Sequence, residues 1–262
     1  MANIKYADPS YTDTNATDDD RVMLRTGAGA DARAPLVQPK GYIDGLRMVW
    51  VSGTQMQITA GAAYIPGPKR IVELSAAVTK TPALSASTWY HMYLYLNGTT
   101  PDIEVTTTAP AAAYYGTARA KTGDSSRRYI GSIRTTSSSQ IINFMHSPGA
   151  GAVKYLSDIN GNGLKVLDNG TSTSSATVSV AGVVPITAFT MEGFAENSGS
   201  SIIYINSPDM GPASPSSILQ FLRPNGLLFG DIALASQQFN YSLNTSSSNG
   251  LTVWCVGYKY MR

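Results

Sequence analysis

Charged residues are scarce in this chain of 262 residues, where Asp, Glu, Lys and Arg make up 14%. About a quarter is usual for a globular domain. The formal net charge is +2, and the adjacent basic pairs Lys69-Arg70 and Arg127-Arg128 are small and far apart. A nucleic-acid-binding protein needs a basic stripe, so we predict no nucleic-acid partner. Ser, Thr, Gly and Asn fill the surface instead, which is typical of extracellular or particle-borne β-proteins.

Metal ligands and cysteine are scarce as well. The single cysteine, Cys255, excludes an intrachain disulfide and lies in a strand pattern, where we predict a buried, inert thiol. A zinc site needs about four ligands, and the chain has only two histidines, His91 and His146. Residues 158–163 space oxygen ligands like part of a calcium loop, but Asn169 stands where the acidic twelfth residue belongs. We predict no metal and no cofactor.

The chain also lacks long apolar runs. No run approaches the length of a membrane span, and the N-terminus has no apolar core of a secretory signal. We therefore expect synthesis in the cytoplasm and no membrane insertion.

Catalytic patterns are missing too. Glycan cleavage needs two carboxylates close together, and of the four glutamates only Glu192 and Glu196 are near each other in sequence. We interpret that pair as solvated charges at a strand end. No serine lies in a G-x-S-x-G elbow and no phosphate-cradling loop precedes a helix. The prediction is that the protein is not an enzyme.

What the chain does contain is a series of strand patterns separated by turns. The clearest is residues 89–96, followed at once by the turn dipeptide Asn97-Gly98. Alternation gives this strand two faces. The face predicted to be core carries Tyr90, Met92, Leu94 and Leu96. The other face is amphipathic and carries Trp89, His91, Tyr93 and Tyr95, and the sequence leaves water, a partner sheet or a neighbouring subunit open as its contact.

The strand patterns predict an all-β fold in several parts. Residues 1–40 form an extended N-terminal arm, 41–146 a β-rich domain, 147–175 a linker or junction, and 176–262 an antiparallel β-sandwich. Within the β-rich domain, we expect residues 109–126 to be a loop with one helical turn. Residues 128–134 and 140–144 are predicted to pair as a hairpin.

The arm is polar and turn-rich, and could hardly bury enough apolar surface to fold alone. We therefore expect it to dock on a partner or a sister subunit, with packing on its own body as the alternative. The candidate anchoring residues are Tyr6, Tyr11, Asp18, Arg21 and Arg25.

Four loops of the predicted sandwich are rich in Ser, Asn, Pro, Gly or Gln: residues 196–200, 207–217, 236–238 and 244–250. Loops of such folds cluster at the two ends of the sandwich, where they carry variable contacts. Amides beside hydroxyls suit the binding of a glycan or a protein surface. The candidate recognition residues are Asn197, Ser207, Asp209, Gln237, Asn244 and Asn249. Solvated hairpin tips are the alternative interpretation.

A resemblance adds a biological context. Its residues are Gly45-Leu46, Ala60-Gly61-Ala62, STWYHM at 87–92, RRYIGSIRT at 127–135 and SQIINF at 139–144. This order resembles a domain that recurs in tail-fibre and other virion structural proteins of tailed bacteriophages, over residues 42–146. The segments at 183–185 and 256–258 resemble the C-terminal sandwich domains of phage fibres.

The resemblance implies a virion location and a homotrimer. The first hypothesis is a tail-fibre or receptor-binding protein, attached to other virion proteins through residues 1–40. The second is a structural head-decorating fibre, collar fibre or tail adaptor. The third and weakest is a polysaccharide-degrading tailspike.

Overall fold

The computed structural model describes residues 21–25, 31–35, 39–147, 149, 151–158 and 163–262. Every described strand pair is antiparallel. The all-β prediction is confirmed. In the described part of the chain, no helix is long and apolar enough to cross a membrane.

Residues 39–143, which we call the N-terminal half, contain one five-stranded sheet and two small three-stranded sheets. Their strands are β3 (Ile43–Gly45), β4 (Met48–Trp50), β5 (Met56–Ile58), β6 (Gly61–Ile65), β7 (Arg70–Leu74), β8 (Val78–Lys80), β9 (Trp89–Asn97), β10 (Thr100–Thr106), β11 (Pro110–Tyr115), β12 (Ala118–Lys121) and β13 (Asp124–Arg134). The large sheet has the order β10-β9-β13-β12-β11, and the small ones are β3-β6-β7 and β4-β5-β8.

Residues 144–262, the C-terminal half, form two packed sheets. Their strands are β14 (Phe144–Ser147), β15 (Ala152–Tyr155), β16 (Lys165–Gly170), β17 (Ala176–Ser179), β18 (Ala188–Asn197), β19 (Ile203–Asn206), β20 (Gln220–Leu222), β21 (Leu227–Ala233), β22 (Gln238–Leu243) and β23 (Leu251–Tyr260). One sheet has the order β14-β15-β23-β18-β21, with β16 also paired to β23, and the other has the order β17-β22-β19-β20. Apolar residues from both sheets are buried in the same core.

The strand β9 is buried on both faces. Met92 and Leu94 lie in the core as predicted, and His91 and Tyr93 on the opposite face are buried as well. The chain itself covers that second face: Trp89 packs edge-on against the Tyr258 ring, with centroids 6.2 Å apart. Of the three contacts that the sequence left open for this face, namely water, a partner sheet and a neighbouring subunit, the structure shows a partner sheet. The apolar surplus of this strand needs no neighbouring subunit to explain it.

Two local predictions are wrong. Residues 109–126 form the hairpin β11–β12 and the start of β13 in place of a loop with a helical turn. The segment 140–144 does not form a hairpin with 128–134, because β13 pairs with β9 and β12 instead. Only the bridge Thr135↔Ile141 remains of that hairpin.

The predicted division into domains stays a prediction. The described part of the segment 147–175 is not a bare linker, since it supplies β15 and β16, which both pair with β23. In the arm, strands β1 (Arg21–Arg25) and β2 (Asp31–Pro35) pair with each other. Tyr6, Tyr11 and Asp18 lie outside the described residues.

The two halves meet through buried tyrosines at the Tyr260 end of β23, a contact that we call the joint. Three hydroxyls form hydrogen bonds between the halves: Tyr129 with Thr187 Oγ1 (2.9 Å), Tyr258 with Ser132 O (2.8 Å) and Tyr260 with Ile130 O (3.0 Å). Tyr129, Tyr258 and Tyr260 are all buried. Buried hydroxyls are costly without partners, so these bonds fix how the halves fit together.

His146 belongs to the joint. Its Nδ1 accepts the backbone N–H of Met48 at 2.9 Å, so the neutral ring carries its hydrogen on Nε2, which faces the Tyr260 hydroxyl at 3.0 Å. Burial, followed by the positive charges of Arg262 and Arg47, lowers the pKa of His146 to about 3. The ring is therefore neutral at physiological pH.

Candidate recognition site

A shallow polar depression lies where three loops of the C-terminal half converge, and we call it the distal tip. Residues 198–200, 225 and 247–249 line it, around a volume of about 260 Å³. The loops are bonded to one another through backbone groups: the Ser198 N–H donates to Gly250 O at 3.1 Å, and the Asn225 N–H to Gly199 O at 3.4 Å. The depression is thus formed by loops that hold one another in place.

Close packing of two of these loops requires glycine at position 199. A Cβ atom there would lie 2.1 Å from the carbonyl oxygen of Asn249, which is far inside van der Waals contact. The next residue is also tied across, because the Ser200 N–H donates to Ser247 Oγ at 3.4 Å. At position 199, any residue other than glycine would therefore force one of the two loops of the distal tip to move.

The distal tip and the joint lie at opposite ends of the same strand. Leu251, the first residue of β23, follows the loop 247–250 directly, and Tyr260, its last residue, lies in the joint. A strand rises about 3.3 Å per residue, so the ends of β23 are about 30 Å apart. The distal tip is accordingly the end of the C-terminal half that points away from the N-terminal half.

The chemistry of the distal tip is that of uncharged hydrogen bonding. Its lining consists of serine, asparagine and glycine, with no charged or aromatic side chain among these described residues. Ser248 and Asn249 are exposed. Hydroxyls both donate and accept, and amides offer two donors and an acceptor. Such a surface can bind a polar, uncharged partner and has no group suited to proton transfer at neutral pH.

The structure brings together two of the four loops that the sequence singled out, 196–200 and 244–250. The loop 236–238 lies at the other end of β22, and Gln237 Nε2 donates to Val184 O at 2.7 Å. The loop 207–217 packs along β22, where Ser242 Oγ donates to Ala213 O at 2.8 Å. Neither of these two loops lines the distal tip.

Two candidate recognition residues are buried, so their prediction as surface contacts is wrong. Asn197 has no exposed surface. Its Nδ2 donates to Ser201 O at 2.7 Å and to Arg223 O at 2.8 Å, and its Oδ1 accepts the Gly199 N–H at 3.0 Å. It supports the distal tip from beneath. Ser207 is also buried. A polar side chain at a strand end can form hydrogen bonds with the backbone of a loop just as it can with a ligand, so its presence alone does not indicate a surface contact.

The other candidates are distributed more widely. Asn249 lines the distal tip. Asn244 is exposed beside it, with its Oδ1 accepting the Ile202 N–H at 2.8 Å. Asp209 is exposed on the loop 207–217, and Gln237 is half-buried. Of the anchoring candidates, Arg21 and Arg25 begin and end β1.

Asn225 belongs to the distal tip, and the sequence-based choice of residues missed it. It follows Pro224 in a tight turn closed by the Gly226 N–H and Arg223 O at 2.9 Å, with a φ of 54° at Asn225. Proline followed by asparagine is the pattern of a type II turn, so the turn itself was predictable. The turn connects β20 and β21, which belong to different sheets.

The residues considered for chemistry are engaged elsewhere. Glu192 is buried against Lys154 Nζ at 3.0 Å. Glu196 is four residues along the same strand, about 13 Å away, which exceeds the carboxylate spacing of glycoside hydrolases. Burial lowers the pKa of His91 to about 4 and raises that of the Cys255 thiol to about 12. The prediction that Cys255 is buried is confirmed.

No protein-family model matches the chain, and no curated protein or solved structure is significantly similar to it.

Proposed function

We propose that this chain is a virion structural protein of a tailed bacteriophage, of the tail-fibre or receptor-binding type. In this proposal it is a homotrimer on the outside of the particle, held to other virion proteins through residues 1–40. The observation that carries the proposal is the position of the distal tip. Its uncharged polar loops lie at the end of β23 opposite the joint, where a protein attached through its N-terminal side would meet a host surface.

The mechanism is recognition without chemistry. Exposed hydroxyls and amides of the distal tip form individually weak hydrogen bonds, each worth about 1 kcal/mol net. Three copies on one particle fibre would engage a repetitive host surface together, which raises avidity well above the affinity of a single site. Low surface charge fits such a site, because long-range repulsion or steering by the host surface is then weak.

The proposal is tested by removing polar groups from the distal tip without disturbing its fold. The double variant Ser248→Ala with Asn249→Ala truncates two exposed side chains. The polar atoms of these side chains make no hydrogen bond to the described residues, since the bond at Ser248 uses its backbone carbonyl. Particles carrying it should assemble normally and adsorb to host cells about tenfold more slowly. Thr99→Ala, exposed in the N-terminal half, is the matched control. Unchanged adsorption of the double variant would contradict receptor binding.

The second candidate is a purely structural role as a head-decorating fibre, collar fibre or tail adaptor. The edge strands β20 and β21 favour it, because four large apolar residues in these strands or directly before β20 are more than half exposed: Leu219, Phe221, Leu227 and Phe229. Exposed apolar edges of this kind often mark assembly surfaces. Electron microscopy of particles labelled with antibody to residues 176–262 separates the two functions. Label on the head or collar supports the structural role, and label at the tail end supports host recognition.

A further inference from the structure

The sequence contains six Asn-Gly dipeptides, beginning at Asn97, Asn160, Asn162, Asn169, Asn225 and Asn249. In such a pair the peptide nitrogen of the glycine can attack the side-chain carboxamide carbon of the asparagine, since glycine has no side chain to hinder the approach. The reaction needs a free carboxamide and a free peptide N–H. Asn160 and Asn162 lie outside the described residues, so the structure ranks four pairs.

One hydrogen bond protects two of these pairs. The Gly250 N–H donates to Asn169 Oδ1 at 2.8 Å. This bond occupies the nitrogen that would attack Asn249, and it also fixes the carboxamide of Asn169. The Nδ2 of Asn169 donates in addition to Ser248 O at 3.4 Å.

The pair at Asn225 is protected differently. Its side chain is exposed, but the attacking nitrogen belongs to Gly226, whose N–H closes the turn onto Arg223 O at 2.9 Å. Attack on the carboxamide would break this turn.

The pair Asn97-Gly98 has neither form of protection. Asn97 is the last residue of β9 and Gly98 begins the turn into β10, and both residues are exposed. Within the described chain, no hydrogen bond engages the Asn97 carboxamide or the Gly98 N–H. The space around Gly98 is open, since no atom lies within 4 Å of the position that a Cβ would take.

We propose that Asn97 is a site of spontaneous deamidation. The Gly98 nitrogen bonds to Cγ of Asn97 and loses its proton, the Cγ–Nδ2 bond breaks, and ammonia leaves, which gives a five-membered succinimide. Water then opens the ring at either carbonyl and produces aspartate or isoaspartate. No oxidant or reductant is involved.

The products alter the β9–β10 hairpin. Asn97 pairs with Thr100 across a two-residue turn, and isoaspartate places an additional methylene in the backbone of that turn. Both products add a negative charge to a chain whose formal net charge is only +2. This site is independent of the distal tip and of the proposed host recognition.

The test is peptide mapping by mass spectrometry of the intact folded protein, incubated at mildly alkaline pH and sampled over time. Deamidation at Asn97 should be at least about tenfold faster than at Asn169, Asn225 or Asn249, because each of those must first break a hydrogen bond. The same chain unfolded in urea is the control, and there the four rates should converge. A native rate at any of the other three equal to that at Asn97 would overturn the proposal.

Two variants complete the test. In the folded protein, Asn97→Gln should remove the acidic species that mapping assigns to residue 97, because ring closure on the longer side chain is much slower. The matched variant Asn249→Gln should leave that species unchanged. Formation of the same species at an unchanged rate in Asn97→Gln would assign the reaction to another residue and contradict the proposal.

Discussion

The joint and the distal tip lie at the two ends of β23 and use polar groups in opposite ways. In the joint, the polar atoms of Tyr258, Tyr260 and His146 are buried and bonded to partners in the chain. At the distal tip, backbone groups bond the loops together and the side chains of Ser248 and Asn249 face solvent. Substitutions in the joint should therefore change stability, and substitutions on the surface of the distal tip should change binding.

The largest effect is expected from Tyr258→Ala in the joint. The side chain is buried, packs on the rings of Trp89 and Tyr155, and donates to Ser132 O at 2.8 Å. Truncation leaves a cavity and an unbonded carbonyl, so the free energy of unfolding should fall by about 3–5 kcal/mol. Chemical denaturation measures this change.

Tyr115→Ala is the matched control for Tyr258→Ala. Tyr115 is 57% exposed, so its truncation should change the free energy of unfolding by less than about 0.5 kcal/mol. Similar losses for the two variants would mean that the joint is not a principal source of stability.

The next largest effect is expected from acid, which should destabilise the protein through His146 of the joint and through His91 of β9. Burial lowers the pKa of His91 to about 4 and that of His146 to about 3, below the value of 6.5 for an accessible histidine. The unfolded chain thus binds more protons as pH falls below 6.5, and stability decreases in that direction until the folded-state pKa is reached. Between pH 7 and pH 5, the loss should be about 2 kcal/mol per histidine.

Denaturant titrations at several pH values measure this dependence. His146→Gln should be less stable at pH 7, because Gln does not reproduce both bonds of the ring, and its stability should vary less with pH by about one proton. If the free energy of unfolding of His146→Gln varies with pH as steeply as that of the unsubstituted protein, His146 does not titrate on unfolding. The control variant Thr99→Ala should show the same pH dependence as the unsubstituted protein.

The sequence predicted the parts of the fold that local patterns determine. Alternating residues identified β9 and β23, and Asn97-Gly98 marked the turn into β10. It did not predict β11 and β12, because the Ala- and Thr-rich segment 109–126 has weak alternation, although β11 pairs with β12 and β12 with β13 across short turns. These strands join a sheet whose long-range pairing is that of β13 with β9, and such tertiary context outweighs local propensity.

The candidate site shows the same limit. The polar composition of 196–200 and 244–250 indicated exposed loops, and these two loops do form the distal tip. Composition could not distinguish Asn249, which faces solvent, from Asn197, which is buried beneath the loops. The difference arises from the backbone carbonyls of Ser201 and Arg223, which are brought to Asn197 only by the folded loops.

Asn197→Ala sharpens the comparison within the distal tip. It removes two good hydrogen bonds to carbonyls and one from the Gly199 N–H, so the free energy of unfolding should fall by about 1–3 kcal/mol. Asn249→Ala, which removes an exposed amide, should change it by less than about 0.5 kcal/mol. Equal losses of the two variants in denaturation experiments would contradict the assignment of Asn197 as a buried support and of Asn249 as a surface residue.

The smallest effect should come from two turns at opposite ends of the C-terminal half. Ser236 and Gln237 both have positive φ, 51° and 59°, in the two-residue turn that the bridge Ala235↔Gln238 closes between β21 and β22. A type I′ turn favours asparagine at the first position. Ser236→Asn should therefore raise the free energy of unfolding by about 0.5 kcal/mol.

The reverse change at the distal tip should have the opposite sign. Asn225 already supplies asparagine at a φ of 54°, and Asn225→Ser should lower the free energy of unfolding by about 0.5 kcal/mol. Because Ser236 and Asn225 are both exposed, burial does not complicate the comparison, and precise denaturant midpoints for the two variants measure it. If Ser236→Asn does not stabilise the protein, backbone strain at that turn is offset by local contacts, and the two ends differ in more than their turn residues.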